Sequence, residues 1–521
     1  MRIRHWLLLF GTVNAVLYSA LLPLWEGFDE AYHYAYVESL WQTGRLPVLG
    51  RTSIPSDVLQ SFQLAPVSHI VQKPIPEATS FDVWFSLPQA EKEGRRNRLD
   101  RLYASPALTT RGNYEAHQPP LAYALLAAFD WPMSHLPLPH RVLVLRIIGA
   151  ICGIVLIECG TRRLCAVLQL AEPFANAVIF TIFCSQMLYA TIAHVANDWL
   201  ALGLGALFLA ALAEFVGQPG KRSANIAALL FAAALLTKAY FLVFAPLAMG
   251  VALVLLWQRR IEWQPVATAG LLVAVLAGPW YARNLALYGS LGGTVEATEG
   301  VGARQALAAA PHIDWVATAG YLARSSLWTG NNSFTSFSRV TLDIALILLL
   351  AAVLMWAFRV REIRPTETFL FAGMVLFAAA IAYQSCVVFA FTNGLSSGAS
   401  PWYSQILLPP VIAIAYLGMA RAPRRWRSPL AAGTIVLWTW VLVATWVVKL
   451  FPMYSTSTPV MRLHDLWAWY TRGLQAGDLA LLALAPPALL YAGLAAVLIV
   501  TVSLGVSVSN RLVTFRNGPA A

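Results

Sequence analysis

Two adjacent carboxylates and a histidine follow the first hydrophobic segment of the chain, in the stretch Trp25-Glu26-Gly27-Phe28-Asp29-Glu30-Ala31-Tyr32-His33. Ionisable side chains are costly to place beside lipid, so they mark a candidate functional site. If the chain is helical from Phe28 onward, Asp29 and His33 lie one turn apart on one face, and Glu30 points about 100° away. An ionised Asp29 at a water-facing membrane edge is suited to act as a general base.

The same residues also have a purely structural interpretation. A polar residue before a helix and an acid in the first turn are common signals of helix initiation. Asp29 and Glu30 would then only begin a helix that lies at the membrane surface. These residues alone leave both interpretations open.

The composition indicates a membrane protein. Of the 521 residues, 58% are hydrophobic and only 12% are charged, and the mean hydropathy is +0.62. A soluble domain does not need so much apolar surface. The net charge of +11 comes from basic residues in short loops between hydrophobic runs, which is typical of membrane anchors and not of a nucleic-acid-binding surface. The five cysteines form no Cys-x-x-Cys pair, so the sequence predicts neither a zinc site nor a disulfide framework.

Apolar runs of about 20 residues predict twelve transmembrane helices and thus an all-α polytopic membrane protein. The runs lie near residues 5–24, 141–161, 172–193, 199–216, 223–239, 241–258, 266–283, 340–358, 367–391, 402–420, 429–450 and 479–509.

In the short loops, basic residues fall almost entirely on one side of this arrangement. With a cytoplasmic N-terminus, the short loops on that side carry the pairs Arg162-Arg163, Lys221-Arg222 and Arg259-Arg260, and the opposite short loops have almost none. The positive-inside rule therefore predicts a multi-pass plasma (inner) membrane protein whose Asp29 faces the extracytoplasmic side. Residues 119–134 are too short to span the membrane, so we expect an interfacial or re-entrant helix there, within the first long loop.

The same topology brings further polar residues to the extracytoplasmic side. They lie at the ends of predicted helices or late in the first long loop: Glu115, His117, His194, Asn197, Asp198, Lys238 and Arg283. A Lys and an Arg together suit a phosphate group, because Lys supplies a point charge and Arg a two-pronged donor. Taken singly, Lys238 and Arg283 also fit the role of cations that extend to the membrane surface, and Asp198 fits that of a helix cap.

A metal site is a further interpretation of the acids and histidines. Carboxylate and imidazole groups such as Asp29, His33, Glu115 and His117 suit Mn²⁺ or Zn²⁺. Their spacing matches no dedicated metal-binding motif, so we predict no metal ligand and leave a divalent cation open as a cofactor.

Six stretches of the chain, in this order, resemble motifs of the GT-C superfamily, which consists of polytopic glycosyltransferases that use polyprenyl-phosphate sugars. They are residues 25–33 (WEGFDEAYH), 44–47 (GRLP), 115–121 (EAHQPPL), 197–198 (ND), 236–238 (LTK) and 280–284 (WYARN). The protein-mannosyltransferase and aminoarabinose-transferase branch is the most similar. The likeness covers residues 1 to about 290, and the C-terminal third is alike only in being hydrophobic.

The resemblance implies a GT-C-like bundle of about twelve transmembrane helices, with interfacial helices in a large first extracytoplasmic loop. It divides the chain into three parts. Residues 1–290 form the GT-C transmembrane module, which includes the extracytoplasmic loop 25–140. Residues 291–339 form a second extracytoplasmic loop, and residues 340–521 contain the C-terminal transmembrane helices.

The resemblance also implies roles for individual residues. Asp29 is expected to be the catalytic base, and Lys238 and Arg283 are expected to face the carrier phosphate. We predict Asp29, Glu30 and Glu115 as catalytic residues, and as substrate-binding residues His33, His117, Asn197, Asp198, Lys238 and Arg283. Many members carry Gly-Arg-Tyr before a late helix, whereas residues 400–403 (SPWY) contain no arginine. No phosphate or sugar contact is therefore carried over from that loop.

These features predict an inverting hexosyl- or pentosyltransferase that moves a sugar from a polyprenyl-phosphate carrier to an acceptor hydroxyl on the extracytoplasmic side. The expected partners are this donor, membrane lipids and a glycan, lipid or protein acceptor, and nucleic acid is not among them. The alternative is a transporter or flippase of a lipid-linked saccharide. A transporter would carry charges at mid-bilayer and show inverted repeats with broken helices, whereas the charges here gather at one membrane edge.

Overall fold

A computed structural model of the chain describes residues 3–67, 75, 77–330, 337–398, 400–454, 466–467, 470 and 477–515, which are almost entirely helical. The predicted parts 291–339 and 340–521 therefore extend partly outside the described residues. The helices are α1 Ile3–Leu21, α2 Glu30–Thr43, α3 Ser56–Leu64, α4 Phe81–Ser86, α5 Gln89–Leu99, α6 Leu121–Asp130, α7 Leu138–Val167, α8 Glu172–Cys184, α9 Gln186–Ile192, α10 Asp198–Gly217, α11 Lys221–Leu235, α12 Phe244–Trp257, α13 Trp263–Tyr288, α14 Val295–Thr298, α15 Ala303–Ala309, α16 Trp315–Leu327, α17 Arg339–Ala357, α18 Pro365–Phe391, α19 Pro401–Ser404, α20 Leu408–Arg421, α21 Arg424–Ala444, α22 Phe451–Met453, α23 Gly477–Leu482 and α24 Pro487–Phe515.

Short turns and one small sheet complete the secondary structure of the described residues. Strands β1 Ser53–Pro55 and β2 Leu108–Gly112 pair in antiparallel orientation within the first long loop. The 3-10 turns are Tyr114–His117, Trp131–Met133, Ala239–Val243, Ala310–His312, Val360–Glu362 and Gln405–Leu407, and a π-helical turn covers Thr445–Leu450. The predicted all-α membrane fold is confirmed, with this two-stranded sheet as the departure from it.

Nine helices in the described part of the chain are long and apolar enough to cross a membrane, or ten if the bent pair α8 and α9 counts as one span. The two other predicted spans are also helical, as α1 and α11. Helix α1 includes Arg4, His5 and Asn14, which lower its hydropathy. Helix α11 has 15 residues and is about 22 Å long, less than the roughly 30 Å of a bilayer core. The count of twelve stays a prediction.

The predicted interfacial helix is present as α6, which the turn Trp131–Met133 extends. Its residues Tyr123 and Leu126 are buried, whereas Phe129 and Trp131 are exposed. A short apolar helix with one buried and one exposed apolar face is typical of a helix that lies in the membrane interface.

The charged helix α5 docks on the C-terminal part of the chain. The Lys92 ammonium lies 2.9 Å from Asp478 Oδ1, and Arg96 donates hydrogen bonds to the carbonyl groups of Leu481 and Ala483. These partners are about 380 positions away, so local charge patterning did not reveal them.

A break in the third predicted span directs the chain toward the start of α2. Helices α8 and α9 meet at Ser185 at an angle of 64°. The Tyr189 hydroxyl donates to the Phe183 carbonyl, at 2.7 Å, and so satisfies a carbonyl group that the break frees. Beyond α9 the residues 193–197 are not helical, and the Val195 amide donates to Glu30 Oε1 at 2.8 Å.

Arg146 of α7 joins three helices through a fully buried guanidinium group. It donates to both carboxylate oxygens of Glu30, at 2.7 and 2.5 Å, at the first residue of α2. It also donates to the carbonyl group of Ser19 in the last turn of α1 and to those of Leu22 and Pro23 just after the helix. The guanidinium therefore fixes where α1 ends and where α2 begins.

Removal of one partner from this pair leaves the other charge buried and uncompensated, at a cost of about 3–5 kcal/mol. We expect Arg146→Met and Glu30→Leu each to lower the free energy of unfolding in detergent by this amount. The double variant should be more stable than either single variant, because no charge then stays buried.

A matched control for this measurement is Arg4→Met. Arg4 pairs with Glu158 at 3.2 Å, but 54% of its side chain is exposed and Glu158 keeps its bond to Arg162, so the loss of Arg4 should cost less than about 1 kcal/mol. Single variants at Arg146 or Glu30 that unfold no more easily than this control would contradict the structural role of the pair.

Candidate active site

Segments far apart in sequence meet around the first turns of α2. The Asn197 amide, just before α10, donates to Gln118 Oε1 at 3.2 Å and to the Thr237 carbonyl at 3.1 Å. The Phe28 ring stacks on Trp402 of α19 with 4.4 Å between ring centroids. The predicted polar residues thus come together where α2, the turn Tyr114–His117, α10, the end of α11 and α19 converge.

Asp29 precedes α2, which begins two residues later than the sequence suggested. Its backbone is left-handed, with φ of 56°, and its side chain makes no capping hydrogen bond with the helix. A capping residue normally has an extended backbone and accepts such a bond. Asp29 Oδ1 instead accepts a hydrogen bond from the Tyr114 hydroxyl at 2.5 Å. The geometry therefore disagrees with the purely structural interpretation of Asp29.

Burial raises the pKa of Asp29 above the ordinary value of an aspartate. The hydrogen bond from Tyr114 and the positive charge of Lys238 act in the opposite direction and favour the ionised form. Lys238 therefore lies close enough to Asp29 to influence its charge.

Glu115 lies beside Asp29 in a different environment. Its Oε2 atom is buried and has no hydrogen-bond partner in the described part of the chain. Burial, followed by the negative charge of Asp29, raises the pKa of Glu115 to about 8. Two neighbouring carboxylates with unequal surroundings separate into one ionised and one protonated group. At neutral pH the protonated group is Glu115.

The two predicted histidines of the first long loop are neutral at pH 7. Burial lowers the pKa of both His33 and His117. His33 Nδ1 shares a hydrogen bond with the Tyr123 hydroxyl at 2.7 Å and lies 3.7 Å from Glu115 Oε2. His117 Nδ1 donates to the Tyr114 carbonyl at 2.7 Å, which leaves its Nε2 as an acceptor.

Lys238 and Asp198 form a buried ion pair between the start of α10 and the end of α11. The Lys238 ammonium also lies over the faces of Tyr240 and Tyr403, 5.5 and 5.4 Å from their centroids. Asp198 is the first residue of α10, yet its carboxylate is bound to a side chain from another helix end. The pair holds a cation beside Asp29 in a place with little water.

Two predicted site residues have their main contacts elsewhere. Both carboxylate oxygens of Glu30 are bound by Arg146. Because Asp29 lies before the first residue of α2, the predicted helical spacing of about 100° between Asp29 and Glu30 does not apply. Arg283 lies over the Trp280 ring, 4.7 Å from its centroid, and donates to the Pro47 carbonyl at 2.7 Å. The catalytic role of Glu30 and the phosphate contact of Arg283 stay predictions.

The sequence did not identify several residues that shape the site. Tyr114, which bonds to Asp29, is the direct neighbour of Glu115 and could have been included with it. Trp402 and Tyr403 belong to the loop that was set aside because it lacks an arginine, yet both of their rings reach the site. Arg146 carried a usable signal, because a cation within an apolar run needs a partner.

No group of three or more His, Cys, Asp or Glu side chains among the described residues is arranged to hold a metal ion. Three of the four side chains considered for this role, those of Asp29, His33 and His117, have other partners. Tyr114 binds Asp29 and, through its carbonyl, His117, and Tyr123 binds His33. The divalent cation that the sequence left open thus gains no ligand set here.

A family model described as "Predicted membrane protein (DUF2142)" matches residues 13–399. This range contains every site residue that the sequence predicted, from Asp29 to Arg283. No curated protein matches the chain.

The chain is similar in fold to several solved structures. ArnT from Cupriavidus metallidurans in the apo state matches with 14% identity and a TM-score of 0.47, over 99% of this chain and 78% of that one. The same protein bound to undecaprenyl phosphate matches with 15% identity and a TM-score of 0.47, over 98% and 77%. The oligosaccharyltransferase AglB from Archaeoglobus fulgidus, in complex with an inhibitory peptide and a dolichol-phosphate, matches with 12% identity and a TM-score of 0.45, over 94% and 61%. These matches are a likeness of fold alone.

The raised pKa of Glu115 predicts a specific pH dependence of stability. Between about pH 4.5 and 8 the folded protein holds a proton on Glu115 that the unfolded chain has released. The contribution of Glu115 to the free energy of unfolding therefore falls as the pH rises through this range. We expect the thermal midpoint of Glu115→Gln to decrease less from pH 5 to pH 8 than that of the unchanged protein.

The control for this measurement is Glu91→Gln, because Glu91 is an exposed acid of α5. This variant should keep the pH dependence of the unchanged protein. If Glu115→Gln also keeps the full dependence, Glu115 is ionised in the folded protein and the inferred protonation is wrong.

Proposed function

This chain belongs to the membrane-protein family DUF2142, and from the geometry of its candidate site we propose that it is a glycosyltransferase with a lipid-phosphate sugar donor. The donor is a polyprenyl-phosphate sugar, and the acceptor is a hydroxyl group of a glycan, lipid or protein. The reaction takes place at the membrane edge where Asp29 lies, which is the extracytoplasmic side by the positive-inside rule.

One observation carries the proposal: buried polar atoms without hydrogen-bond partners gather at this site. In the described part of the chain they include Glu115 Oε2, Asn197 Oδ1 and both ring nitrogens of His194. Each such atom costs about 1–3 kcal/mol when it is left unpaired, so a group of them calls for a specific explanation. A sugar ring presents several hydroxyl groups, which both donate and accept, and it can satisfy such a set.

Asp29 acts as the general base in this proposal. It is the carboxylate of the pair that accepts a hydrogen bond from a hydroxyl group, and this bond favours its ionised form, so we assign it as the one that ionises first. Glu115 stays protonated beside it and can donate a hydrogen bond to a substrate oxygen.

The reaction is a single displacement. The acceptor hydroxyl gives its proton to Asp29 while its oxygen forms a bond to the anomeric carbon of the sugar. The bond between that carbon and the phosphate oxygen breaks, and the electron pair leaves with the polyprenyl phosphate. One base opposite one leaving group gives inversion at the anomeric carbon and needs no covalent enzyme intermediate.

Lys238 stabilises the departing phosphate. It is buried, so its charge acts on the phosphate without much screening by water. Asp198 holds the ammonium group in place before the donor binds. Arg283 is half-buried, and its two hydrogen bonds use two of its five N–H donors. The other donors are left for the phosphate of the carrier.

The remaining predicted residues have supporting roles. His33, His117 and Asn197 are neutral polar groups that orient the sugar or the acceptor. Glu30 acts as a positioning residue, because its bond to Arg146 sets the start of α2 and thus the place of Asp29.

Apolar surfaces complete the site. Phe28, Trp402 and Tyr403 supply aromatic faces that exclude water from the reacting atoms. Helix α6, with its exposed Phe129 and Trp131, forms one wall of the groove for the polyprenyl chain.

The direct test replaces Asp29 by Asn, which keeps the shape of the side chain and removes the base. We expect sugar transfer to fall by about 100- to 10,000-fold with little change in donor binding. The protein in lipid nanodiscs is given polyprenyl-phosphate hexoses and pentoses together with envelope extracts as acceptors. Mass spectrometry then detects the glycosylated product and the released polyprenyl phosphate.

The matched control is Asp82→Asn, an exposed aspartate of the same loop, which should transfer at the original rate. Transfer by Asp29→Asn at that rate would remove Asp29 as the base. A flippase would be supported instead if a lipid-linked saccharide crossed the membrane without any glycosyl product and if Asp29→Asn did not change the rate of this movement.

A second variant tests the hydrogen bond from Tyr114. Tyr114→Phe removes a contact that lowers the pKa of Asp29, so the pKa rises and the acid limb of the kcat/KM profile moves to higher pH. Tyr32→Phe is the control, because the Tyr32 ring packs on Tyr114 but its hydroxyl accepts a hydrogen bond from Arg111. An unshifted acid limb in Tyr114→Phe would show that another group sets the profile.

A further inference from the structure

A second charged cavity lies at the opposite ends of α10 and α11 from the candidate active site. It has a volume of about 940 Å³ and is lined in part by Arg163, Glu214, Lys221, Arg222, Arg260 and Arg364. Helix α10 has 20 residues and is about 30 Å long. The cavity therefore lies across the thickness of a bilayer from Asp198 and cannot take part in the same reaction.

Three of the cations in this cavity have no carboxylate partner within the described residues. Arg163 pairs with Glu214, and Arg364 pairs with Glu367. Lys221 and Arg222 make no ion pair or hydrogen bond there, and Arg260 donates only to backbone carbonyl groups. The cavity thus keeps an excess of positive charge.

The start of α11 adds to this positive potential. Lys221 is the first residue of α11, and Gly220 before it supplies no side-chain cap. The first amide groups of a helix point outward and carry a partial positive charge, which favours an anion such as phosphate.

An apolar cavity adjoins the charged one. It has a volume of about 290 Å³ and lies between α10, α11, α12 and α13, with small residues such as Ala228, Ala248 and Gly270 in its lining. Phe215 and Ala224 of this cavity are chain neighbours of Val216 and Ser223 of the charged cavity. A phosphate bound at Lys221 would therefore have a hydrocarbon-lined space next to it.

We propose that the two cavities bind one anionic phospholipid. Its phosphate headgroup lies against Lys221, Arg222 and Arg260, and one acyl chain fills the alanine-lined cavity. Basic residues at the end of membrane helices attract anionic headgroups, and an adjoining apolar cavity fits a lipid better than a soluble phosphate compound. The bound lipid holds α11, the helix that leads to Lys238, at its far end.

The headgroup contact is tested with the purified full chain in detergent. Phosphatidylglycerol is added, and native mass spectrometry measures the bound fraction without sugar donor or acceptor, so the outcome does not depend on the proposed transfer reaction. The double variant Lys221→Gln/Arg222→Gln should bind about 30-fold more weakly. The matched control Arg259→Gln/Arg361→Gln removes two exposed cations of neighbouring loops and should bind as the unchanged protein does.

The acyl-chain contact is tested by Ala228→Phe, which fills the apolar cavity without a change of charge. It should also weaken binding, whereas Ala351→Phe, at an exposed position of α17, should not. Equal losses in both double variants would show unspecific attraction by surface charge. Unchanged binding in the Lys221→Gln/Arg222→Gln variant, or full competition by glycerol phosphate or inorganic phosphate, would also overturn the proposal.

Discussion

The buried ion pair between Arg146 and Glu30 is the constraint on which the candidate active site depends. A guanidinium group inside an apolar helix bundle has no water to bind, so its five N–H groups must find partners in the protein. Two go to Glu30, and the other hydrogen bonds reach the carbonyl groups of Ser19, Leu22 and Pro23. This arrangement leaves little freedom for the residues between α1 and α2. Asp29 is therefore held in a left-handed conformation with its carboxylate directed at Tyr114 and not at the helix end.

The chemistry of the site follows from unequal surroundings for similar groups. Glu115 is buried and Asp29 is half-buried; among the described residues Asp29 accepts a hydrogen bond from a hydroxyl group, whereas one oxygen of Glu115 has no hydrogen-bond partner. In the proposed mechanism the proton resides on Glu115, and Asp29 is the base. The neutral histidines and the pair of Lys238 and Asp198 limit the net charge that must be buried beside them. At the other ends of α10 and α11, cations without carboxylate partners among the described residues produce the opposite situation, a place where an added anion is favourable.

The sequence predicted the membrane class, the places of the helices and the clustering of Asp29, Glu115, Asp198 and Lys238, because apolar runs and basic loops are local signals. It did not predict pairings that depend on packing, such as Arg146 with Glu30, which are 116 positions apart. The break at Ser185 was also missed, since an unbroken apolar run covers it. The contacts of α5 and of residues 400–403 were missed for a related reason, because both segments find their partners only in the folded chain.

The most direct measurement is infrared difference spectroscopy of the protein at neutral pH, which detects the carbonyl stretch of protonated carboxylic acids. One component of the protonated carboxyl signal should be lost in Glu115→Gln and retained in Asp29→Asn. Glu38, whose pKa is also raised well above its usual range by burial, contributes a second component that is the same in the unchanged protein and in both variants. This result would locate the proton on Glu115 and leave Asp29 ionised as a base. The reverse pattern, with a component lost in Asp29→Asn and kept in Glu115→Gln, would contradict the proposed mechanism.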